Sequence, residues 1–285
     1  MNKNNIQKSI NEAVKNGRLN ILMDLHKKNK NLFPWNEETC SIAALYGHIE
    51  CLKYLHTNRC SWDRYTCSNA AKKGHLECLK YAHENGCNWY TTTCSIAANN
   101  GHIDCLKYAH ENGCPWNKET CKCAAKNGHF DCLKYAHENG CPWDEDTCKW
   151  AAFNGRLECL KYAHENGCHW DKYTCSSAAN GHLECLKYAH ENGCHWNEIV
   201  CYIAIKNGHI DCLQYAHKNG CPYPNHLLNF IVKKILIPKW RAAVKSRQIV
   251  YYWMERSAQT SCAENGRARI EDEKSFENDC NSLIV

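Results

Sequence analysis

The sequence has almost none of the short signatures that announce an enzyme. It carries no Gly-x-Gly-x-x-Gly, no phosphate-cradling Gly-Lys-Ser/Thr loop, no His-Glu-x-x-His and no Gly-x-Ser-x-Gly. Those absences remove the usual starting points for dinucleotide binding, nucleotide hydrolysis, zinc proteolysis and serine-based hydrolysis. No apolar run reaches the roughly 18 residues that a bilayer crossing needs, so no membrane contact is expected. The start, Met1-Asn-Lys-Asn-Asn-Ile, has no apolar stretch of the kind a secretory leader requires. Net charge is small, +5 over 285 residues. So thin an excess does not point to nucleic acid.

Cysteine, by contrast, is abundant, with 24 in the chain. Without a leader, these are expected as thiols in a reducing, intracellular compartment. A secreted disulfide scaffold would be short, and its cysteines would not be evenly repeated. Here they are. The ten-residue stretch Cys-Leu-Lys-Tyr-Ala-His-Glu-Asn-Gly-Cys occurs verbatim from Cys78, Cys105, Cys132, Cys159 and Cys185, with looser copies from Cys51 and Cys212. The step is 27 residues, once 26. A fixed period of this size marks a solenoid, in which each unit contacts only its neighbours.

Residues 145 to 171 show how one unit folds. Asp144 is placed to cap a first helix running to about Phe153. Ala151 and Ala152 are small enough to let a neighbouring helix approach. Asn154-Gly155 ends that helix. A second helix is predicted from about Leu157 to Asn166, with Gly167 just past its end. Leu157, Leu160 and Ala163 form its apolar stripe, with Cys159 on the flank. Glu158, Lys161 and Glu165 form a polar stripe spaced for pairing. A helix of ten residues is marginal alone, so burial against neighbours must hold it.

The run Ala-Ala-x-x-Gly-His-Leu-Glu-Cys-Leu-Lys-Tyr-x-x-Glu-Asn-Gly resembles the ankyrin repeat, over roughly residues 6 to 224. Cysteine stands where that family has its first valine, as at Cys78 and Cys105. Thr-Cys-x-x, as in Thr93-Cys94-Ser95-Ile96, replaces Thr-Pro-Leu-His. The unit is about six residues shorter than the usual 33. The missing residues fall between Gly140 and Ala151, where the family builds a β-hairpin. The resemblance implies an all-α solenoid of helix-turn-helix repeats with shortened or absent hairpins. The short cysteine- and tryptophan-rich unit is similar to ankyrin-type proteins encoded by giant DNA viruses of amoebae, which implies a viral protein acting on host proteins in the host cytoplasm.

The expected organisation is a degenerate capping repeat over residues 1–36 and seven repeats over 37–224. C-terminal capping helices are expected over 225–256, and a disordered tail over 257–285. Leu227, Pro238 and Trp240 faintly resemble the F-box-like ending of viral ankyrin proteins. That implies an alternative function as an adaptor recruiting a host ubiquitin ligase.

The repeating side chains admit a packing role and a chemical one. Three cysteines per unit, such as Cys148, Cys159 and Cys168, suit helix packing. The alternative is a zinc- or redox-active protein, in which a pair such as Cys141 and Cys148 supplies half a metal site. No unit contains Cys-x-x-Cys, and Cys105 and His110 lie on different sides of one helix. One histidine set follows glycine (His75, His102, His129, His182, His209); the resemblance gives it backbone hydrogen bonds between units. A second set near the end of the second helix (His83, His110, His137, His164, His190, His217) is placed for the negative end of that helix. Tryptophans at 62, 89, 116, 143, 170 and 196, with Tyr223 next, read as an aromatic ladder over the seams rather than a platform for bases. No catalytic residue, cofactor or metal site is expected.

The copies differ in one place. The second helix barely changes, whereas the first helix and the residues before it change in every unit. In ankyrin proteins that face lines a groove that binds other proteins. The candidate partner-binding residues are Tyr65, Asn69, Tyr90, Thr92, Lys118, Lys122, Asp146, Lys149, Tyr173 and Tyr202. Tyr65, Tyr90 and Tyr173 are the expected anchors, since aromatics are enriched at binding hot spots. The protein is expected to act as a monomer on an unidentified protein partner.

Overall fold

A computed structural model describes residues 3–29, 35–63 and 65–222. Sixteen α-helices and no strand lie among them. They run in eight pairs: α1 (Lys3–Lys15) and α2 (Leu19–Lys28), α3 (Glu37–Tyr46) and α4 (Ile49–Thr57), α5 (Thr66–Lys73) and α6 (Leu76–Glu84), α7 (Thr93–Asn99) and α8 (Ile103–Glu111), α9 (Lys118–Asn127) and α10 (Phe130–Glu138), α11 (Glu145–Phe153) and α12 (Leu157–Glu165), α13 (Lys172–Ala178) and α14 (Leu183–Glu191), α15 (Glu198–Asn207) and α16 (Ile210–Lys218). The chain divides between Pro224 and Asn225. The expected C-terminal helices and tail, and the ladder position Tyr223, lie outside the described residues. No helix among the described residues is long and apolar enough to cross a membrane.

Local chemistry sets the helix ends. Asp144 accepts the backbone N–H of Asp146 at 3.2 Å, and Asn117 accepts that of Glu119 at 3.0 Å. Each satisfies an amide that the helix itself leaves unpaired. At the other end, Asn139 folds its amide back onto the Tyr135 carbonyl at 2.8 Å. No hairpin follows. A short extended connector, Cys-x-Trp-x, leads straight into the next cap.

Packing falls into two layers. Successive first helices lie close together, each against the next, while successive second helices touch lightly. Alanine makes the close approach possible: Ala124, Ala125, Ala151 and Ala152 are all fully buried. From the second helices, Leu106, Leu133, Leu160 and Leu186 are fully buried in register. Burying each leucine stabilises the array by about 1.5–3 kcal/mol.

The thiols sit in this core. In the unit of α11 and α12, Cys148 is 0 % exposed, Cys159 1 % and Cys168 2 %. Cys148 donates to the Cys168 carbonyl at 3.7 Å, and Cys168 donates to the Asp144 carbonyl at 3.1 Å. The pairing corrects the expectation for Cys141 and Cys148. Cys141 instead donates to the Asn117 carbonyl at 3.2 Å, one unit back. Thiols therefore pair across one antiparallel helix pair, about 20 residues apart, and not across a connector.

The thiol chemistry fits packing. A hydrogen bond with the Cys168 thiol, reinforced by burial, holds Cys148 far above the usual thiol range. Its partner Cys168 is lowered by that same hydrogen bond, with burial acting against it. Burial pushes Cys132 and Cys159 up to about 12, so both are neutral thiols at pH 7. Zinc binding requires thiolates, usually four ligands in a structural site. Among the described residues no three His, Cys, Asp or Glu side chains are grouped to hold a metal ion. The described cysteines are free, and Cys123 alone among them is not buried. Brief alkylation of the native protein is expected to label Cys123 first among these, as peptide mass spectrometry would show. Labelling of Cys159 at the same rate would contradict the packing.

Two devices tie unit to unit. The first is a glycine–histidine contact. Gly101 takes φ +75°, and the His129 ring of the next unit lies directly over it. His129 also hydrogen-bonds the Asn99 backbone, and His48 bonds the Lys15 carbonyl at 3.0 Å. The second is a three-ring cluster. His137 stacks on Trp143 with centroids 3.8 Å apart, and its Nδ1 meets the Tyr162 hydroxyl of the next unit at 3.0 Å. Tyr162 sits edge-on to both rings. Trp62 Nε1 crosses the same kind of seam, donating to the Asn85 carbonyl at 3.0 Å. The ladder thus lies on the seams. The second histidine set departs from expectation, because the rings of His83, His110, His137, His164 and His190 each engage a tryptophan and a tyrosine. The polar stripe also departs in part: Lys80 pairs with Glu77 at 3.3 Å, but Lys161 lies over the Tyr188 ring at 5.5 Å.

These histidines make stability depend on pH. Burial lowers the pKa of His75, His129, His164, His182 and His190 from the ordinary 6.5. The unfolded chain therefore binds protons more readily than the folded one. Their stabilising contribution is complete above pH 6.5 and is lost as pH falls below it. The melting temperature is expected to drop by several degrees between about pH 7 and pH 5. A melting temperature that rises on acidification would contradict this.

Candidate partner-binding face

The first helices bury alanine and cysteine on one side, which leaves three positions per helix facing out. They lie two residues before the buried cysteine, one or two after it, and five or six after it. A helix rotates 100° per residue, so these positions share a stripe. Aligned over the seven units whose first helix carries that cysteine, the stripes form one face.

Large apolar side chains are exposed along it. Tyr65 is 42 % exposed, Tyr173 46 %, Tyr202 39 % and Ile199 37 %. Thr92 is exposed, while Tyr90 and Asn69 are half-buried. Tyr65 and Tyr90 are brought together across the seam between α5 and α7, edge to face at 5.7 Å. Tyr173 stands two helices away from Trp150 and Phe153 in sequence order but on the same face. The charged candidates are held by local pairs. Lys118 reaches Asp144 of the next unit at 2.8 Å. Lys122 pairs with Glu119, and Lys149 with Asp146 at 2.6 Å. The Lys149 ammonium holds the Asp146 carboxyl below the usual carboxylate range.

Some exposed residues on this face are absent from the sequence-based candidates. Phe153 is 41 % exposed and sits edge-on to Trp150 at 5.4 Å. Lys126 lies over the Trp150 ring at 4.7 Å, and Lys149 flanks it at 6.0 Å. At the N-terminal end, Tyr46 is 42 % exposed beneath Lys15, beside a cleft lined by Gln7, Asn11, Ile42 and Leu45. These positions lie just before the glycine that ends the first helix, where the sequence reading sees only a helix ending. Change from unit to unit at the fifth position after the cysteine (Leu45, Lys72, Asn99, Lys126, Phe153, Lys206), and at Tyr46 one further on, is the signal that marks them.

The face is a ridge of aromatic and aliphatic anchors between paired charges, the composition of a binding surface. Models of ankyrin repeats in three copies match residues 67–146 and 94–174, and a model of ankyrin repeats in many copies matches 173–217, together just over half the sequence. The chain belongs to the ankyrin repeat family. Ankyrin repeats generally serve as scaffolds for protein–protein interaction. Among solved structures, the chain is similar to the human ASB11 ankyrin repeat domain, at 19% identity and a TM-score of 0.47, over 54% of this chain and 83% of that one. No curated protein matches it. As an ankyrin array it lacks hairpins among its described residues, and indole rings occupy the seams where the fingers would start.

Proposed function

We infer that the chain is a non-catalytic scaffold that binds a protein partner, as a monomer, across the exposed face of its first helices. One observation carries this reading. The layer that holds the array together repeats almost unchanged, while the layer facing solvent presents different side chains in every unit. Packing constrains the first and leaves the second free to fit a partner. Tyr65, Tyr90, Tyr173 and Tyr202 supply the anchors, and Asn69, Thr92, Lys118, Lys122, Asp146 and Lys149 the polar surround. A host protein as partner, and a viral origin for the chain, are supported by the short cysteine- and tryptophan-rich unit alone.

Affinity capture from host-cell extract tests the reading. Tyr65→Ala combined with Tyr173→Ala is expected to reduce capture of a specific partner by about tenfold or more, the loss typical of hot-spot aromatics. Full retention of every partner by the variant would count against the face.

A further inference from the structure

The two layers carry opposite charge. In the first helices α5, α7, α9 and α11 there are six lysines and three acidic residues. In the second helices α6, α8, α10 and α12 there are four lysines and eight acidic residues. A nearly neutral chain is thus polarised across its middle units. Two of the three first-helix acids, Glu119 and Asp146, are already engaged by Lys122 and Lys149. On α9 and α11 themselves four lysines stand against three acids, and Lys118, Lys122 and Lys149 are each paired with a carboxylate, so Lys126 is the ammonium placed to donate to an incoming carboxylate.

The lysines converge on an apolar spot. Trp150 is half-buried, with the Lys126 ammonium over its ring and Lys149 beside it. Phe153 is exposed against its edge. Lys126 itself is exposed. A cation over an indole face stays available to an incoming carboxylate, and the exposed phenyl ring offers a dry contact next to it.

We propose that the α9–α11 part of the face binds an acidic peptide segment carrying one apolar side chain. The apolar residue packs on Phe153 and the edge of Trp150, and a neighbouring carboxylate accepts from Lys126, while Lys149 and Lys122, each shared with its own acid, border the spot. This rests on the first-helix face being the binding surface and specifies the chemistry of what it binds. Protein is favoured over single-stranded nucleic acid because Glu119 and Asp146 lie among these lysines. A partner's carboxylates arrive one at a time between those acids, whereas a continuous phosphate backbone must run past both.

The experiment is fluorescence anisotropy with a labelled peptide of alternating glutamates around a central leucine, on the full chain. Binding is expected, weakening with salt and falling by about tenfold for Lys126→Glu/Lys149→Glu, the size of loss usual for desolvated charge pairs. A glutamine version of the peptide is expected to bind about tenfold more weakly as well. Lys134→Glu on α10, in the acidic layer, is expected to leave binding within twofold. A Lys126→Gln/Lys149→Gln variant with an unchanged melting temperature guards against misfolding as the cause of any loss. Binding that survives both lysine double variants, or an equal affinity for the glutamine peptide, overturns the proposal. So does tighter binding of an oligothymidylate at the same site. So does self-association, measured by sedimentation, that the lysine variants abolish, since a second copy's acidic layer then fills the face. Failure of the peptide alongside loss of a captured partner by Tyr65→Ala/Tyr173→Ala removes the acidic-peptide assignment and leaves the scaffold reading standing.

Discussion

Gly101→Ala is expected to destabilise the array by about 3 kcal/mol, and Gly113→Ala by only about 1 kcal/mol. Both glycines take left-handed backbone, with φ +75° and φ +81°. An alanine pays the left-handed strain of about 1–2 kcal/mol at either position. The surroundings differ. A Cβ on Gly101 would lie 2.5 Å from Nδ1 of His129, while one on Gly113 would meet nothing within 4 Å. The His129 ring must therefore move, and it loses its bond to the Asn99 backbone. The lost bond is worth roughly 1 kcal/mol. Urea unfolding measures both variants. The double variant Gly101→Ala/His129→Ala is expected to be less destabilised than the sum of the singles, because the clash is gone. Equal costs at Gly101 and Gly113 would show that the histidine does not clamp the glycine.

The second large effect separates the two layers. Leu133→Ala on α10 is expected to cost about 2–5 kcal/mol, the range for emptying a buried leucine site. Leu133 is fully buried, and the same position is filled by Leu106 and Leu160 in the flanking units, so neighbours cannot collapse into the space. Phe153→Ala on α11 removes a larger side chain, yet it is expected to change stability by no more than about 0.5 kcal/mol, as surface changes do. Phe153 is 41 % exposed. Thermal melts of both variants check this. A large loss for Phe153→Ala would mean that the variable face helps hold the array, and would weaken the argument that it is free to serve a partner.

Much of this was legible in the residues. The period placed the helix pairs. Asp144 marked a helix start because its carboxylate can reach the Asp146 amide, and Asn154-Gly155 marked an end. Leu160 and Ala163 declared the buried stripe through their three-residue step. The thiol pairs were not legible. Cys141 and Cys148 are seven residues apart, and Cys148 and Cys168 are 20 apart. Antiparallel packing of two helices brings the start of one beside the end of the other, and spacing along the chain does not show that. The target of His137 was hidden for a similar reason, since Tyr162 belongs to the next unit and its contact depends on stacking geometry. Phe153 and Tyr46 were passed over because a position just before the helix-ending glycine reads as a boundary. Which carboxylate each lysine takes is also a matter of rotamers, as Lys161 shows by turning to Tyr188.

The division of labour between a working layer and a holding layer is tested most directly by footprinting the captured complex. Hydroxyl-radical labelling of the chain, alone and with its partner, reads solvent access at individual side chains. Protection is expected at Tyr65, Phe153, Tyr173 and Tyr202 on the first helices, with the exposed Ile210 on α16 labelled equally in both states. Protection confined to the second helices, with those four side chains still labelled in the complex, would contradict it.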